Sequence, residues 1–439
     1  MSTATMAAAA AERPTTRRFF IIGLLFFTVV INYLDRSNMS IAAPALAGSL
    51  HIDSVQMGLV FSAFGWCYTA LQLPGGWLAD RMRPQVLYPI LMLLWSIATI
   101  SLGWAGGLVG LILLRVAVGV FEAPSYPMNN RIATTWFREQ ERATCIGIYT
   151  SAQYVGLAFL APVLAWILVH YGWPMVFGLT GVLGLVWAVV WFLVYRDPVD
   201  FPGVNEAEIR LIADGGGIPD LSRRIAGRRA VRGTAFAWRD LGVVLGRRKL
   251  WGIYIGQFGL GSTQIFFLTW FPTYLVKFRH MDFIRAGFFA SLPFLAAFVG
   301  VLCSGFFSDF LLRRGASLGT ARKTPIVTGL LLSTVMIGAN FTDSQPLVIL
   351  FLTLAFFANG LASITWSLIS STAPERLIGL TGGMFNLIGG LASIIVPIAI
   401  GYLAQGDSFT PALTMIAGLA LMGALSYIFL VGKVERVRE

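Results

Sequence analysis

The sequence predicts an all-α polytopic membrane protein of twelve transmembrane helices arranged as two six-helix repeats. Three observations carry this fold class. Of 439 residues 56% are hydrophobic and only 12% charged, with a mean hydropathy of +0.75, far too apolar for a water-soluble chain of this length. Apolar stretches of about 20 residues, enough for a helix to cross ~30 Å of hydrocarbon, recur along the chain. A polar break divides these stretches six and six, and similar motifs stand at matching places in the two sets.

In chain order the predicted spans cover 19–42, 56–78, 86–104, 107–128, 143–168 and 173–194, then 250–276, 285–308, 323–341, 345–366, 379–403 and 409–431. They make an N-terminal six-helix bundle over 19–194 and a C-terminal one over 250–431, with tails at 1–18 and 432–439. The segment 195–249 between them is polar and Gly-rich, carries the basic runs SRRIAGRR and GRRK, and reads as a cytoplasmic linker. Two arginines, Arg17 and Arg18, precede the first span. That span nevertheless contains Asp35 and Arg36 and is followed by no small-residue cleavage pattern, so it reads as a retained helix and not a signal peptide. Span 2 ends in GGWLADRMR and span 8 in GFFSDFLLRRG, which puts Gly76 and Asp80, and likewise Gly305 and Asp309, four residues apart. Spans 5 and 11 open on ERATCIGIYTSAQYVG and ERLIGLTGGMFNLIGG, so Glu141–Arg142 and Glu375–Arg376 match across the repeat.

A formal charge of +11 and a pI near 9.9 raise the question of nucleic acid. The location of the basic residues answers it. The N-tail, the even-numbered turns and the C-tail hold 27 of the 32 Lys and Arg, Lys277, Arg279 and Arg285 lie on the other side, and Arg36 and Arg115 lie within helices. This asymmetry predicts a multi-pass membrane protein with both termini cytoplasmic. The bilayer is then its surrounding partner. Nucleic acid is not, because the basic residues are scattered over short segments without an aromatic-rich patch. Cys67, Cys145 and Cys303 fall inside predicted spans without metal-ligand spacing and read as small packing residues. No nucleophile–base or metal constellation argues for an enzyme, so no cofactor is expected.

Four charges lie at membrane depth, Asp35, Arg36, Arg115 and Glu122, all in the first repeat. Each would cost ~2.5–3.5 kcal/mol at a helix centre if left unpaired. Buried ion pairs add little net stability, because desolvation offsets attraction, so the pattern points to function. Arg115 and Glu122 are seven residues apart, two helical turns, and project from one face of span 4. Tyr33 and Arg36 share a face of span 1, while Asp35 is rotated by about 100° and meets a different neighbour. Carboxylates beside arginines suit proton or ion coupling, and a guanidinium fork suits a carboxylate ligand. His51, His170 and His280 fall at or near the outer loops, which leaves the carboxylates as proton carriers. Composition leaves sodium open as the coupling ion, since unwound backbone carbonyls coordinate it in some transporters.

GGWLADRMR resembles the signature Gly-x-x-x-Asp-Arg-x-Gly-Arg-Arg of the major facilitator superfamily through Gly76, Asp80, Arg81 and, loosely, Arg83, with the later glycine missing. The resemblance spans nearly the whole chain and implies the major facilitator fold, a monomer working by alternating access, and a gating role for Asp80 and Arg81. FEAPSYPMNNRIATTWF, NYLDRSN and SAQYVGLAFLAP are similar to the anion:cation symporter family, and within it to the proton-coupled D-galactonate transporters. That resemblance implies Asp35 and Glu122 as proton-coupling carboxylates supported by Arg36 and Arg115. It also implies a sugar-acid site made by Tyr33, Arg36, Tyr68 and Gln153 in the first half and Ser363, Trp366 and Asn386 in the second. The chemistry is suitable, since a sugar acid needs one cationic fork and several neutral donors and acceptors, with an aromatic wall for its C–H face. Ser363 serves equally well as a helix-contact hydrogen bond. The expected function is import of a sugar acid, D-galactonate or a related hexonate, by symport with protons. Hexuronate, glucarate, tartrate and aromatic carboxylates are close alternatives. A drug or cation antiporter fits less well, because GLAFLAPVLAW lacks the Gly-Pro-rich pattern of span 5 in that group.

Overall fold

In hydrocarbon no water is available to backbone N–H and C=O groups, so a spanning segment must satisfy them internally, as a helix does. The computed structural model follows this rule: it describes residues 13–223, 238–374, 377–406 and 408–436, and none of these forms a strand. Part of the basic run SRRIAGRR, and the repeat pair Glu375–Arg376, lie outside the described residues.

Spans 1, 3, 5, 6 and 8 are single helices, Arg17–Leu50, Pro84–Leu102, Glu139–Tyr171, Trp173–Val194 and Phe283–Arg313. Spans 11 and 12 are Ile378–Leu403 and Thr410–Phe429. The remaining spans are interrupted. Span 2 runs as Ser54–Ala70 and Gln72–Arg81, because Pro74 has no N–H to give the Ala70 carbonyl. Span 4 runs as Leu108–Glu122 and Ser125–Trp136, broken at Pro124. Span 7, Arg248–Thr269, continues through a short turn, Phe271–Thr273, into a π-helical turn, Tyr274–Phe278. Span 9, Leu318–Ser333, ends in a 3₁₀ stretch, Thr334–Phe341, and span 10, Gln345–Leu361, passes through a 3₁₀ turn, Ala362–Ile364, into Thr365–Thr372. Several helices outrun their predicted spans, since hydropathy marks only the length in hydrocarbon and the helix goes on into the headgroups. Ten of the described helices are long and apolar enough to cross a membrane. The two others are span 2, cut in two, and span 7, whose middle carries Gln257, Ser262, Thr263 and Gln264.

The repeat seen in the motifs recurs in the packing. Within the first half, spans 1 and 5, 2 and 4, and 3 and 6 pack together; within the second, 7 and 11, 8 and 10, and 9 and 12 do the same. The halves meet along two seams, span 2 against span 11 and span 5 against span 8. Small residues allow the approach: a Cβ on Gly58 would meet the Pro397 carbonyl, one on Gly65 the Ser393 side chain, one on Gly287 the side chain of Ala165. Outward-facing positions such as Val182, Val186, Val189 and Leu193 of span 6 are exposed and apolar, the surface that lipid covers.

Both ends of the described chain lie on one face. Thr15 donates its backbone N–H to the Asn205 side chain of the linker at 3.1 Å, and Lys323, at the start of span 9, reaches the Gly432 carbonyl of the C-tail at 2.9 Å. A linker helix, Glu206–Asp214, docks on the first half by its buried Glu208, which accepts from Arg18 Nη1 at 3.0 Å. On the opposite face the halves are shut. Lys277 of span 7 donates to Ser54 of span 2 at 3.3 Å, the rings of Phe61 and Trp270 meet at 5.4 Å, and Tyr154 of span 5 meets Phe356 of span 10 at 6.3 Å. Toward the termini the same seams expose Trp77, Asp80, Phe306, Asp309 and Asn386. The molecule is open on the face that carries its termini and closed on the other.

Candidate functional site

The site grows from the middle of span 1. Its carboxylate and its guanidinium, neighbours in sequence, point to different helices because one residue turns the helix by about 100°. Arg36 faces span 4. Its Nε and Nη2 both donate to Oε2 of Glu122, at 3.1 and 3.0 Å, and the Glu122 side chain has no solvent exposure. Glu122 is the last residue of its helix, two before Pro124, and Gly119, three residues earlier, lets the backbone of span 4 come against that of Phe64 on span 2. The Arg36 guanidinium is also caged by aromatic faces, 4.7 Å from the ring centre of Tyr33, 4.9 Å from Phe64 and 4.5 Å from Tyr68. Such contacts hold a cation in place where full hydration is denied.

Arg115 shares a helix face with Glu122, yet the guanidinium paired with Glu122 is Arg36, from another span. Arg115 instead stands 5.1 Å from the Phe64 ring and reaches the Asp35 backbone carbonyl at 3.5 Å, the outer limit of a hydrogen bond. Asp35 points away from Arg36, toward the indole of Trp95 on span 3. It is 1% exposed, and neither carboxylate oxygen has a hydrogen-bond partner among the described residues. Glu122 Oε1 is likewise without one. The two carboxyl groups therefore differ, one held by a guanidinium that lines a cavity and one turned to the Trp95 indole inside the first bundle.

That cavity, about 170 Å³, lies between the halves. Tyr33, Arg36, Tyr68 and Arg115 wall it from the first half, and Gln257 and Gln264 of span 7 from the second. Gly389, Gly390 and Ser393 of span 11 close one side, where Thr69 donates across the seam to the Gly390 carbonyl at 3.4 Å. Such a space joins two cations to neutral amide and phenol groups, the set an oxygen-rich organic anion requires.

Of the residues expected to bind ligand, the structure brings Tyr33, Arg36 and Tyr68 together on this wall. Gln153 is buried on span 5 and is not a wall residue of the cavity. Ser363 sits in the 3₁₀ turn of span 10, Trp366 is 51% exposed with its ring 5.1 Å from Phe385, and Asn386 is exposed one helical turn from Gly390. None of these three is a wall residue of the cavity. Asp80 and Arg81 are exposed at the end of span 2, with the Arg81 guanidinium 3.9 Å from the ring centre of Trp77 on its own helix. The second-half wall made by Gln257 and Gln264 is absent from the sequence-based set. A signal for it existed: two glutamines seven residues apart in a predicted span share a face, as Arg115 and Glu122 do.

The model of the Major Facilitator Superfamily matches residues 25–321. A D-galactonate transporter of Escherichia coli O6:H1 is 51% identical over 427 residues, 97% of this chain and 98% of that protein. The probable galactarate/D-glucarate transporter GudP of Bacillus subtilis (strain 168) is 41% identical, covering 97% of this chain and 94% of that protein. Among solved structures, the inward open conformation of the xylose transporter XylE from E. coli superposes with a TM-score of 0.71 over 95% of this chain and 97% of that one, at 13% identity. A bacterial homolog of the human lysosomal transporter Spinster, inward-facing and unoccupied, gives 0.66 over 95% and 96%, at 19% identity. At such identities these two speak for the fold alone.

Proposed function

The chain belongs to the major facilitator superfamily, and from that premise we propose that it imports a sugar acid, D-galactonate or a related hexonate, together with protons by alternating access. The observation that carries the reading is Arg36 on the wall of a cavity between the halves, paired from behind with the buried Glu122. The sequence relatives support the substrate class. On this reading the protein works as a monomer in the bacterial inner membrane with the terminal face cytoplasmic, in keeping with the basic residues gathered there.

The pair explains how proton and anion travel together. Two Arg36 donors are spent on one Glu122 oxygen, and a substrate carboxylate needs the same fork. While Glu122 is ionised, it competes with the substrate at contact distance. A proton on Glu122 removes that competitor and leaves a neutral carboxyl, a far weaker acceptor, so Arg36 is freed for the anion. Loss of the proton on the cytoplasmic side restores the pair and expels the substrate. Arg115 supplies a second cation, and Gln257, Gln264, Tyr33 and Tyr68 supply partners for hydroxyls. Asp35 is the second proton site: the Trp95 indole and Arg115 are its neighbours but no guanidinium grips its carboxylate as Arg36 grips Glu122, so protonation there depends on how the bundle is arranged.

A hexarate is the second reading, because Arg115 lines the same cavity and offers a cation to a second carboxylate. Uptake by proteoliposomes of hexonates, hexarates, hexuronates, tartrate and an aromatic acid, with and without an inward proton gradient, tests both. Gradient-driven accumulation of a hexonate is expected. Accumulation driven by sodium with no proton gradient would refute the coupling, and preference for a hexarate would transfer the assignment to the second reading.

A further inference from the structure

The closed face holds a second cavity, of about 400 Å³. Spans 1 and 2 of one half and spans 7 and 8 of the other wall it, so it straddles the seam that must part when the molecule opens the other way. Its floor is Trp270, whose ring meets Phe61, and Phe61 lines the central cavity on the other side of that contact. Span 7 supplies a polar lining on both sides of this aromatic plug: Thr269 in the central cavity, then Thr273 and Lys277 in the outer one, each four residues on. Thr273 is 6% exposed, and its hydroxyl has no partner among the described residues.

Three basic residues were assigned to this face. Arg279 is engaged by the Tyr274 hydroxyl at 2.7 Å and by the carbonyls of Ala339 and Thr342, and Arg285 by Asp282 at 3.2 Å. Lys277 differs. It is exposed, stands 5.4 Å from the Phe278 ring centre, and has a neutral partner, the Ser54 hydroxyl of the other half. It lies on the π-helical turn Tyr274–Phe278, a form of backbone that tends to occur at functional places in helices. Asp53 also lines the cavity, but its Oδ1 accepts from the Gln56 N–H at 2.8 Å, so its charge is turned to the positive N-terminus of span 2.

We propose that this outer cavity is an anion-capture site, in which Lys277 and the Thr273 hydroxyl take the carboxylate of an incoming organic acid before the Phe61–Trp270 plug opens to Arg36. The inference rests on the organic-anion reading of the central cavity and adds where the anion first binds. Parting of the halves breaks the Lys277–Ser54 contact, which frees the ammonium as the path inward appears.

The test is uptake by right-side-out proteoliposomes of the acid that the wild type accumulates fastest, measured for Lys277→Met, Lys277→Arg and Ser54→Ala. Lys277→Met should raise the external KM on the order of three- to tenfold at low salt, with Vmax kept and the difference shrinking at high ionic strength. Lys277→Arg, which keeps the charge, should raise the external KM less than Lys277→Met does. Ser54→Ala, which removes the cross-seam contact and keeps the cation, should leave the external KM unchanged. Binding of the same acid to detergent-solubilised Lys277→Met, entered from the open terminal face, should equal wild type. An unchanged external KM in Lys277→Met overturns the capture site, and equal effects of Lys277→Met and Ser54→Ala overturn it in favour of a strut. If the wild type accumulates no carboxylate at all, the organic-anion reading falls first and this inference with it.

Discussion

Replacing Glu122 by glutamine isolates the competition for Arg36. The side chain keeps its shape and one carbonyl acceptor but can neither carry charge nor release a proton. In the wild type two guanidinium donors converge on a single oxygen of a carboxylate without solvent exposure, at 3.0 and 3.1 Å. Hydrogen bonds to charged groups are worth roughly 1.5–3 kcal/mol each, so displacing Glu122 costs a substrate anion at least about that much. At 1.4 kcal/mol per decade, the mutant should bind the acid roughly 10- to 100-fold more tightly than the wild type at a pH where Glu122 is ionised. The gap should close as pH falls, because the wild type then acquires the proton that the mutation imitates. Equilibrium binding of labelled D-galactonate to purified protein across pH gives the affinity. Uptake beside counterflow in the same proteoliposomes gives the coupling. The mutant should exchange labelled for unlabelled substrate yet fail to concentrate it, since the empty carrier cannot shed a proton to return. Equal affinities at every pH, together with full accumulation by the mutant, would remove Glu122 from coupling and leave Asp35 as the sole proton carrier.

Arg36→Lys keeps the charge but loses both the planar fork and the stacking on Tyr33, Phe64 and Tyr68, so affinity for the acid should fall at least about tenfold in the same binding assay, with wild-type affinity as the refuting result. Asp35→Asn removes a buried carboxyl that has no partner among the described residues. The fold should therefore tolerate it, with a thermal midpoint at or above wild type in detergent, while gradient-driven accumulation is lost and counterflow survives; accumulation at the wild-type level would remove Asp35 from coupling. Gln257→Ala and Gln264→Ala each delete a neutral partner from the cavity wall, and each should weaken sugar-acid binding by about 0.5–1.5 kcal/mol, two- to twelvefold, with a smaller effect on a short carboxylate lacking hydroxyls. Gly58→Val places a branched side chain against the Pro397 carbonyl and wedges the closed face, so uptake should slow and a cysteine introduced at Met57, in the outer cavity, should react faster with a water-soluble thiol reagent from that side.

Asp35, Arg36, Arg115 and Glu122 stand out in the sequence because the cost of a charge in hydrocarbon belongs to each residue on its own, as does the hydropathy that marks the spans. The Gly76/Asp80 and Gly305/Asp309 spacings reveal the repeat for the same reason, since each lies within one short stretch. Which guanidinium meets Glu122 is a different kind of question. Helical spacing offers Arg115, on the same face, but the pairing goes to Arg36 because Gly119 draws span 4 against span 2 and the aromatic cage of Tyr33, Phe64 and Tyr68 aims the longer reach from span 1. Gln257 and Gln264 become the second wall of the cavity only because span 7 comes to face spans 1 and 2 across the seam. Local sequence thus determined the number of helices, their repeat and the charges they hide. The partner of each charge, the walls of the cavity and the face on which it opens were decided by how the helices rotate and approach one another, a property of the packed pairs that no single segment contains.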